Sequence, residues 1–320
     1  HTLCVLRRVR AFWFCLPACG CWNERPWTGA ARIGRGVSQR YEENQMNERD
    51  RILMCPPDFY TVDYVINPWM DGMEGSLSLE LAKQQWLDLK AGIEKVAEVV
   101  TIDPQPDLPD MVFTANAGTV WGNKAIASHF MPMERRAEET HFKKWFADNG
   151  FELYDLPDDL GFEGAGDSLF DRGGPWLWVG HGFRTEIEAH DHLRRWYSDH
   201  ELVSIRLTDS RFYHIDTCFC PLVAGYLLWH PPAFDYESRL EIEKRIPPRR
   251  RIVCDTADAG NFACNAVNIG KHIFVNRMSS ELRGRLESLG FVVHQTPLSE
   301  FIKAGGSAKC LTLRLSEPPV

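Results

Sequence analysis

The sequence lacks an apolar run of about 18 residues or more, so we expect no membrane-spanning helix. It also lacks an excess of basic residues after its first 45 positions. That segment holds seven arginines and three glutamates, and removing them from 36 basic and 44 acidic residues leaves 29 and 41, a net charge of −12. So acidic a surface repels phosphate backbones, which argues against nucleic acid as a partner.

The cysteines lack the spacing of a disulfide framework or of a zinc site. Six follow residue 45: Cys55, Cys218, Cys220, Cys254, Cys264 and Cys310. Cys218 and Cys220 are too close for a usual zinc pair, and no second pair follows at ligand spacing. His190 and His192 lie in a predicted helical stretch, where residues two apart do not face each other. We therefore expect no metal and no other cofactor, and a reducing, cytoplasmic location.

Residues 1–45 differ in composition from the rest of the chain. They contain four of the ten cysteines and no lysine. A secretory signal, an arginine-rich organelle transit peptide and upstream translation before a start at Met46 all fit, and we favour the third. The apolar run 11–16 is short and is interrupted by Pro17, which argues against the signal peptide. In each case we expect residues 1–45 to be a leader outside the fold and 46–320 to form a single catalytic domain.

A unit of about 50 residues recurs in that domain, in which a polar residue opens a hairpin and a helical stretch follows most hairpins. The openers are Asn67, Asn116, Asp167, Asp216 and Asn265, spaced 49, 51, 49 and 49 residues apart, and Cys310 comes 45 residues later. Such a period indicates a repeat architecture. Alternating strands and helices favour α/β units closed into a ring, whose equivalent positions converge on the axis. Six openers in a five-unit ring imply that the first and last share a closing unit.

The segment Gly305–Arg314 is the strongest candidate for chemistry. Its Gly-Gly turn presents Cys310 to a substrate, and the alternating residues 311–315 predict a half-buried strand behind it. A cysteine thiolate is a nucleophile. Taken alone, this segment also fits a hairpin that carries a buried cysteine.

Two further residues complete a catalytic hypothesis. His214, in Phe-Tyr-His-Ile-Asp-Thr, is of the type that moves protons near neutral pH. Glu163, in Phe-Glu-Gly-Ala-Gly-Asp, is suited to orient that histidine. Taken alone, the His214 motif also fits a hydrogen-bonded pair on a strand, and the Glu163 motif also fits a surface turn. The repeat places these two motifs and the segment of Cys310 at corresponding positions of their units, and this combination favours an enzyme.

Five motifs together carry a family resemblance: Pro109–Asn116, Phe162–Asp167, Gly182–Thr185, His214–Thr217 and Gly305–Cys310. With them, residues 51–315 resemble the guanidino-group-modifying (amidinotransferase) superfamily, which includes arginine deiminase, dimethylarginine dimethylaminohydrolase, glycine amidinotransferase and arginine dihydrolase. The resemblance implies a five-bladed, pseudo-symmetric α/β propeller (pentein), in agreement with the repeat.

The resemblance also implies roles for individual residues. Cys310 attacks the guanidinium carbon, His214 protonates the departing amine and then activates water, and Glu163 partners His214. The implied substrate-binding residues are Asn67, Asn116, Asp167, Asp216, Arg135 and Arg184. Of these, Asp216 and Asn116 bind the guanidinium nitrogens, while the two arginines bind the substrate α-carboxylate. For Arg135 the ordinary alternative is a surface arginine that starts a helix.

One position departs from the pattern of deiminases and dimethylarginine hydrolases, which usually carry aspartate where this chain has Asn116. Phe-Thr-Ala-Asn-Ala-Gly resembles arginine dihydrolase, which converts arginine to ornithine, two ammonia and carbon dioxide. Some proteins of that enzyme family carry an additional C-terminal domain, which we do not expect in this chain.

Several alternatives stay open beside the dihydrolase. They are dimethylarginine dimethylaminohydrolase or arginine deiminase, both giving citrulline, an amidinotransferase, and a propeller that has become a non-catalytic scaffold. The expected partner is a small guanidino substrate, arginine or methylated arginine, and a homo-oligomer is one option for the assembled state.

Overall fold

The computed structural model describes residues 49–316, which contain fifteen strands and seven α-helices. The strands are β1 (Arg51–Met54), β2 (Glu98–Thr101), β3 (Gly118–Trp121), β4 (Lys124–Ala127), β5 (Glu152–Tyr154), β6 (Ser168–Phe170), β7 (Trp176–His181), β8 (Glu201–Arg206), β9 (Phe219–Leu222), β10 (Tyr226–Trp229), β11 (Arg251–Val253), β12 (Val267–Ile269), β13 (His272–Val275), β14 (Val292–Gln295) and β15 (Leu313–Arg314). The helices are α1 (Leu79–Ile93), α2 (Glu138–Asp148), α3 (Ala189–Trp196), α4 (Tyr236–Arg245), α5 (Thr256–Gly260), α6 (Ser280–Ser288) and α7 (Ser299–Ile302).

The strands form five three-stranded sheets of the same design: β3-β4-β5, β6-β7-β8, β9-β10-β11, β12-β13-β14 and β15-β1-β2. In each sheet the first two strands are antiparallel and the third is parallel to the second. A parallel neighbour requires a crossover, and α2, for example, supplies it between β4 and β5. The predicted five-bladed α/β propeller is confirmed.

The fifth sheet joins the two ends of the described chain. Strand β15 pairs antiparallel with β1, with Leu313 opposite Leu53 and Arg314 opposite Ile52. The carbonyl of Arg51 also accepts a hydrogen bond from the backbone of Leu315. The ring is therefore closed by a strand that begins three residues after Cys310, as the shared closing unit predicts.

Helix α1 shows how the helices cover the sheets. It begins after Ser78, whose hydroxyl accepts a hydrogen bond from a backbone N–H of the first turn. Its buried side chains include Trp86, Leu89 and Ile93, at helical spacing. Burial of each such side chain contributes about 1.5–3 kcal/mol relative to an exposed position. No helix within residues 49–316 is long and apolar enough to cross a membrane.

Two local predictions are wrong. The apolar run Tyr-Val-Ile at 64–66 predicts a strand, but none forms there, and the carbonyl of Ile66 instead accepts a hydrogen bond from Arg184. The alternating segment 311–315 is not half-buried, since Thr312 is as buried as the leucines beside it. Close to the axis of the ring, side chains on both faces of a strand meet other sheets. The predicted leader, residues 1–45, lies outside the described residues, so its boundary stays a prediction.

Candidate active site

The predicted convergence of openers is visible around Cys310. Its sulfur lies 3.1 Å from Nδ2 of Asn265 and 3.5 Å from Oδ2 of Asp216. Asn67 and Asn116 line the same cavity as Cys310. The structure thus brings five of the six predicted positions together, while the sixth, Asp167, neither lines the cavity nor makes a hydrogen bond to the sulfur in the described part of the chain.

Cys310 is held as a thiol by its surroundings. Its side chain is buried, and burial raises the pKa of the thiol well above its ordinary value, as does the neighbouring carboxylate of Asp216. Asn265 and Lys309 act in the opposite direction. A further positive charge near the sulfur would therefore increase the thiolate fraction.

Asp216 titrates unusually high for an aspartate. Burial raises the pKa of this carboxyl to about 6, against the opposing effects of Lys309 and His214. At neutral pH the side chain is ionised, and it lies in contact with the sulfur. It therefore provides a negative charge where a cationic group would meet Cys310.

Glu163 joins His214 to a buried arginine. Its Oε2 lies 2.8 Å from Nε2 of His214 and 2.9 Å from Nη1 of Arg184. Burial alone would raise the pKa of Glu163, but Arg184 and His214 outweigh it and hold the pKa at about 2. An ionised carboxylate therefore contacts the imidazole, with Arg184 as its counter-charge, and the catalytic roles of Glu163 and His214 stay predictions.

A small cavity lies beside Cys310. Its polar lining consists of Asn67, Asp110, Asn116, Arg135, Arg184, Tyr213 and Cys310, and Ile66, Phe113, Ala304 and Gly306 complete it. Asp216 and Glu163 lie one contact away, through Cys310 and Arg184. No three His, Cys, Asp or Glu side chains in the described part of the chain are grouped so that they could hold a metal ion.

The two predicted arginines are buried, so the surface alternative for Arg135 is wrong. Arg135 makes a two-pronged ion pair with Glu138, at 2.9 and 2.8 Å, and donates from Nη1 to Oδ1 of Asn116 at 2.9 Å. Arg184 donates to Glu163 and to the carbonyl of Ile66. Both therefore reach the cavity as rigidly held cations. Their role toward a substrate carboxylate stays a prediction.

Asp167 has a different position from the one its spacing suggested. Its Oδ2 accepts from the hydroxyl of Thr185 at 2.8 Å, and its Oδ1 accepts from the backbone N–H of Ile215 at 3.1 Å. The carboxylate thus fixes the backbone directly after His214. Asn67 bonds backbone groups of Trp69 and Ala304 and lines the cavity.

Two residues of the site had no catalytic or substrate-binding role assigned from the sequence. Asp110 lines the cavity; its Oδ2 accepts from the hydroxyl of Tyr64 at 2.8 Å, while its Oδ1 is buried without a partner among the described residues. An acid inside the apolar stretch Pro-Asp-Met-Val-Phe was the available signal. Asn265 was recognised as an opener, but its contact with the sulfur depends on the closed ring.

An α/β propeller with an axial cysteine, a histidine–carboxylate pair and buried arginines defines the guanidino-modifying pentein class. The chain matches the family model "N,N dimethylarginine dimethylhydrolase, eukaryotic" over residues 79–316. It belongs to this family of amidine-hydrolysing enzymes, within the guanidino-modifying superfamily.

Several relatives show where the chain lies in the superfamily. It is 57% identical, over 84% of its length, to the bifunctional arginine dihydrolase/ornithine cyclodeaminase ArgZ of Synechocystis, and it spans only 38% of that protein. It is 34% identical to the N(G),N(G)-dimethylarginine dimethylaminohydrolase of Mycobacterium tuberculosis, over 83% of this chain and 85% of that one. The substrate-bound N-terminal domain of ArgZ superposes with a TM-score of 0.83 at 56% identity, covering 84% of this chain and 99% of that domain.

Proposed function

We propose that this chain is an arginine dihydrolase, which converts arginine and two waters to ornithine, two ammonia and carbon dioxide through covalent intermediates on Cys310. One observation carries the proposal. Cys310 opens into a cavity that also contains two buried arginines and a carboxylate oxygen without a partner. These groups complement the carboxylate and ammonium of an amino acid whose side chain reaches the sulfur.

The amino-acid end of arginine fits the polar lining. Arg135 and Arg184 present guanidinium groups to the α-carboxylate. The Oδ1 of Asp110 suits the α-ammonium, because a buried acceptor gains most from a charged donor. Asp167 is no longer needed as a substrate ligand and is better described as a support for His214.

The guanidinium end supports formation of the nucleophile. A guanidinium cation beside Asp216 offsets the negative field that holds the Cys310 thiol protonated, so binding of the substrate favours the thiolate. The thiol proton passes to His214 as the sulfur attacks the guanidinium carbon, and His214 returns this proton to the departing ammonia. Water activated by the same histidine, which Glu163 orients, releases the ureido compound citrulline.

Asn116 favours a second turnover of the bound ureido group. A carboxylate at this position would only accept hydrogen bonds, and it would repel the new carbonyl oxygen, whereas an amide both accepts and donates. Citrulline retained beside Cys310 is attacked again, and the second ammonia, carbon dioxide and ornithine follow. The family match makes conversion of dimethylarginine to citrulline the second candidate.

Product analysis separates these candidates. With arginine, we expect ornithine and close to two ammonia per arginine consumed; with dimethylarginine, we expect little turnover. Asn116→Asp should shift the product towards citrulline, with ornithine reduced about tenfold or more, since one hydrogen bond to the ureido oxygen becomes a repulsion. Time-resolved amino-acid analysis measures both. Accumulation of citrulline without ornithine by the unmodified protein would refute the dihydrolase assignment.

The acid limb of the pH profile should report Asp216. The carboxyl of Asp216 has a pKa of about 6. Above pH 6 it is charged and pairs with the substrate cation, whereas below pH 6 it is protonated and this attraction is lost. We therefore expect kcat/KM for arginine to fall about tenfold per pH unit below pH 6. Circular dichroism at each pH controls for unfolding. A flat profile from pH 7 to 5 would exclude this role.

The cytoplasmic location and a homo-oligomeric state stay predictions.

A further inference from the structure

Asn265 uses every hydrogen-bonding position of its side-chain amide. Its Oδ1 accepts from the backbone N–H groups of Lys309 and Cys310, at 3.0 and 3.3 Å. Its Nδ2 donates to the carbonyl of Asp216 at 3.0 Å and to the sulfur of Cys310 at 3.1 Å. Since an amide has two donors and two acceptor sites, this side chain is saturated.

The orientation of the amide follows from these partners. The two backbone N–H groups can only face the oxygen, so the nitrogen must face the sulfur. Asn265 is fully buried, and a rotation that exchanged the two atoms would leave several buried groups unpaired. The donor is thus fixed at the sulfur before any substrate arrives.

The sulfur has polar neighbours of opposite kinds. Asp216 accepts from the thiol and stabilises its protonated form. The N–H of Asn265 can donate to the thiolate, and hydrogen bonds to an ion are roughly twice as strong as those to a neutral acceptor. As the proton leaves, the contact with Asp216 becomes unfavourable while the contact with Asn265 becomes stronger.

We propose that Asn265 is a further catalytic residue, whose amide stabilises the thiolate of Cys310 by a direct hydrogen bond. The inference rests on the proposed nucleophilic role of Cys310 and does not depend on which guanidino compound is the substrate. Asn265 does not belong to the cavity lining, so it acts on the sulfur and leaves the amino-acid end of the substrate to other residues.

Alkylation of Cys310 tests this role without any substrate. Iodoacetamide forms a carbon–sulfur bond with a thiolate and releases iodide, so its rate follows the thiolate fraction. The reaction is run on the full chain from pH 7 to 9 and followed by mass spectrometry on the tryptic peptide Cys310–Arg314, which separates this cysteine from the others. Asn265→Ser and Asn265→Asp both remove the amide donor, and the aspartate keeps the acceptor for the loop.

Matched controls are available at Asn276. Its amide likewise donates to a backbone carbonyl, that of Asn261 at 2.9 Å, and accepts from a backbone N–H, that of Leu298 at 2.8 Å, and among the described residues it makes no hydrogen bond to a cysteine sulfur. We expect both Asn265 variants to slow alkylation roughly 10- to 100-fold, which moves the rate–pH curve up by one to two pH units. Asn276→Ser and Asn276→Asp should react within about twofold of the parent.

A faster alkylation of Cys310 in the Asn265 variants would identify a purely structural role for Asn265. If Asn265 only anchors the loop, its loss exposes the buried sulfur and alkylation becomes faster. An unchanged or faster rate in Asn265→Ser, with the circular dichroism of the parent retained, therefore overturns the proposal, and Asn265→Ser serves alone if Asn265→Asp does not fold. In arginine turnover, kcat should fall by the same factor while KM stays within about threefold. Failure of arginine as a substrate would refute the proposed function and leave the alkylation result interpretable.

Discussion

Cys310→Ser is expected to abolish turnover of arginine, with a loss on the order of 10⁴-fold or more, in a protein that still folds. A serine hydroxyl is far less acidic than a thiol, and the contacts of Cys310 at this position hold even the thiol protonated. The surrounding contacts change little, because oxygen replaces sulfur in a site already bonded to Asn265 and Asp216. Ammonia release and amino-acid analysis measure the loss.

A second buried cysteine supplies the control. Cys55 is buried directly after β1. Within the described chain, the one hydrogen bond of its thiol is to the carbonyl of Pro56. Cys55→Ser should therefore keep turnover within about threefold of the parent. Calorimetric titration should still detect arginine binding by Cys310→Ser. Appreciable turnover by purified Cys310→Ser would rule out the covalent mechanism.

Glu163→Gln is expected to impair both stability and activity. The ordinary pKa of a glutamate is 4.5, and the value of about 2 at Glu163 corresponds to ~3 kcal/mol of stabilisation of the charged form. Glutamine leaves Arg184 buried without its carboxylate, a change that typically costs about 3–5 kcal/mol. We expect the midpoint of thermal unfolding to fall by roughly 10 °C. Turnover should fall about 100-fold, because the imidazole of His214 loses its orienting partner.

The pH dependence of this loss has a defined sign. A carboxyl whose folded pKa is lowered stabilises the protein above its unfolded pKa, and this stability disappears as the pH falls towards the folded value. The difference between parent and Glu163→Gln should therefore be complete above pH 5 and shrink between pH 4.5 and 2.

Glu186 provides the matched comparison for this variant. It accepts a hydrogen bond from the backbone N–H of Gly161 at 2.7 Å and is only partly buried. Glu186→Gln should cost less than about 1.5 kcal/mol and should show no such acid-dependent convergence. Equal losses in the two variants, measured by urea unfolding, would show that the charge at Glu163 does not matter.

The ring was predictable from the sequence because its repeat carries the same polar opener at a nearly constant interval. Equal spacing fixes equivalent places in a closed structure, so Asn116, Asp216 and Cys310 could be brought together without any contact being known. The helical stretches predicted after most hairpins also form, and the one that contains His190 is α3. In residues 311–315 the same reasoning failed, since alternation assumes one solvent face and the axis has none.

Other parts of the site depend on contacts that spacing does not encode. Asp167 has the sequence position of a ligand, yet its oxygens are committed to Thr185 and Ile215. The bond from Arg184 to Glu163 joins residues 21 positions apart through side-chain geometry alone. Asp110 lies within the motif Pro109–Asn116, but its role as a ligand candidate depends on an oxygen left without a partner because Tyr64 donates to the other oxygen.

The pairing of β15 with β1 makes the nucleophile segment one of the last parts of the propeller to be completed. During synthesis, β1 leaves the ribosome about 260 residues before Leu313, and until then one edge of its sheet has no neighbour. Contacts over such a separation in sequence form late, because a long loop must close first. Nascent chains that stop before Cys310 would therefore lack both the nucleophile and β15, and would leave the edge of β1 exposed. The step that pairs β15 with β1 thus protects the protein from edge-to-edge association and also completes the site in which Cys310 lies beside Asn265 and Asp216.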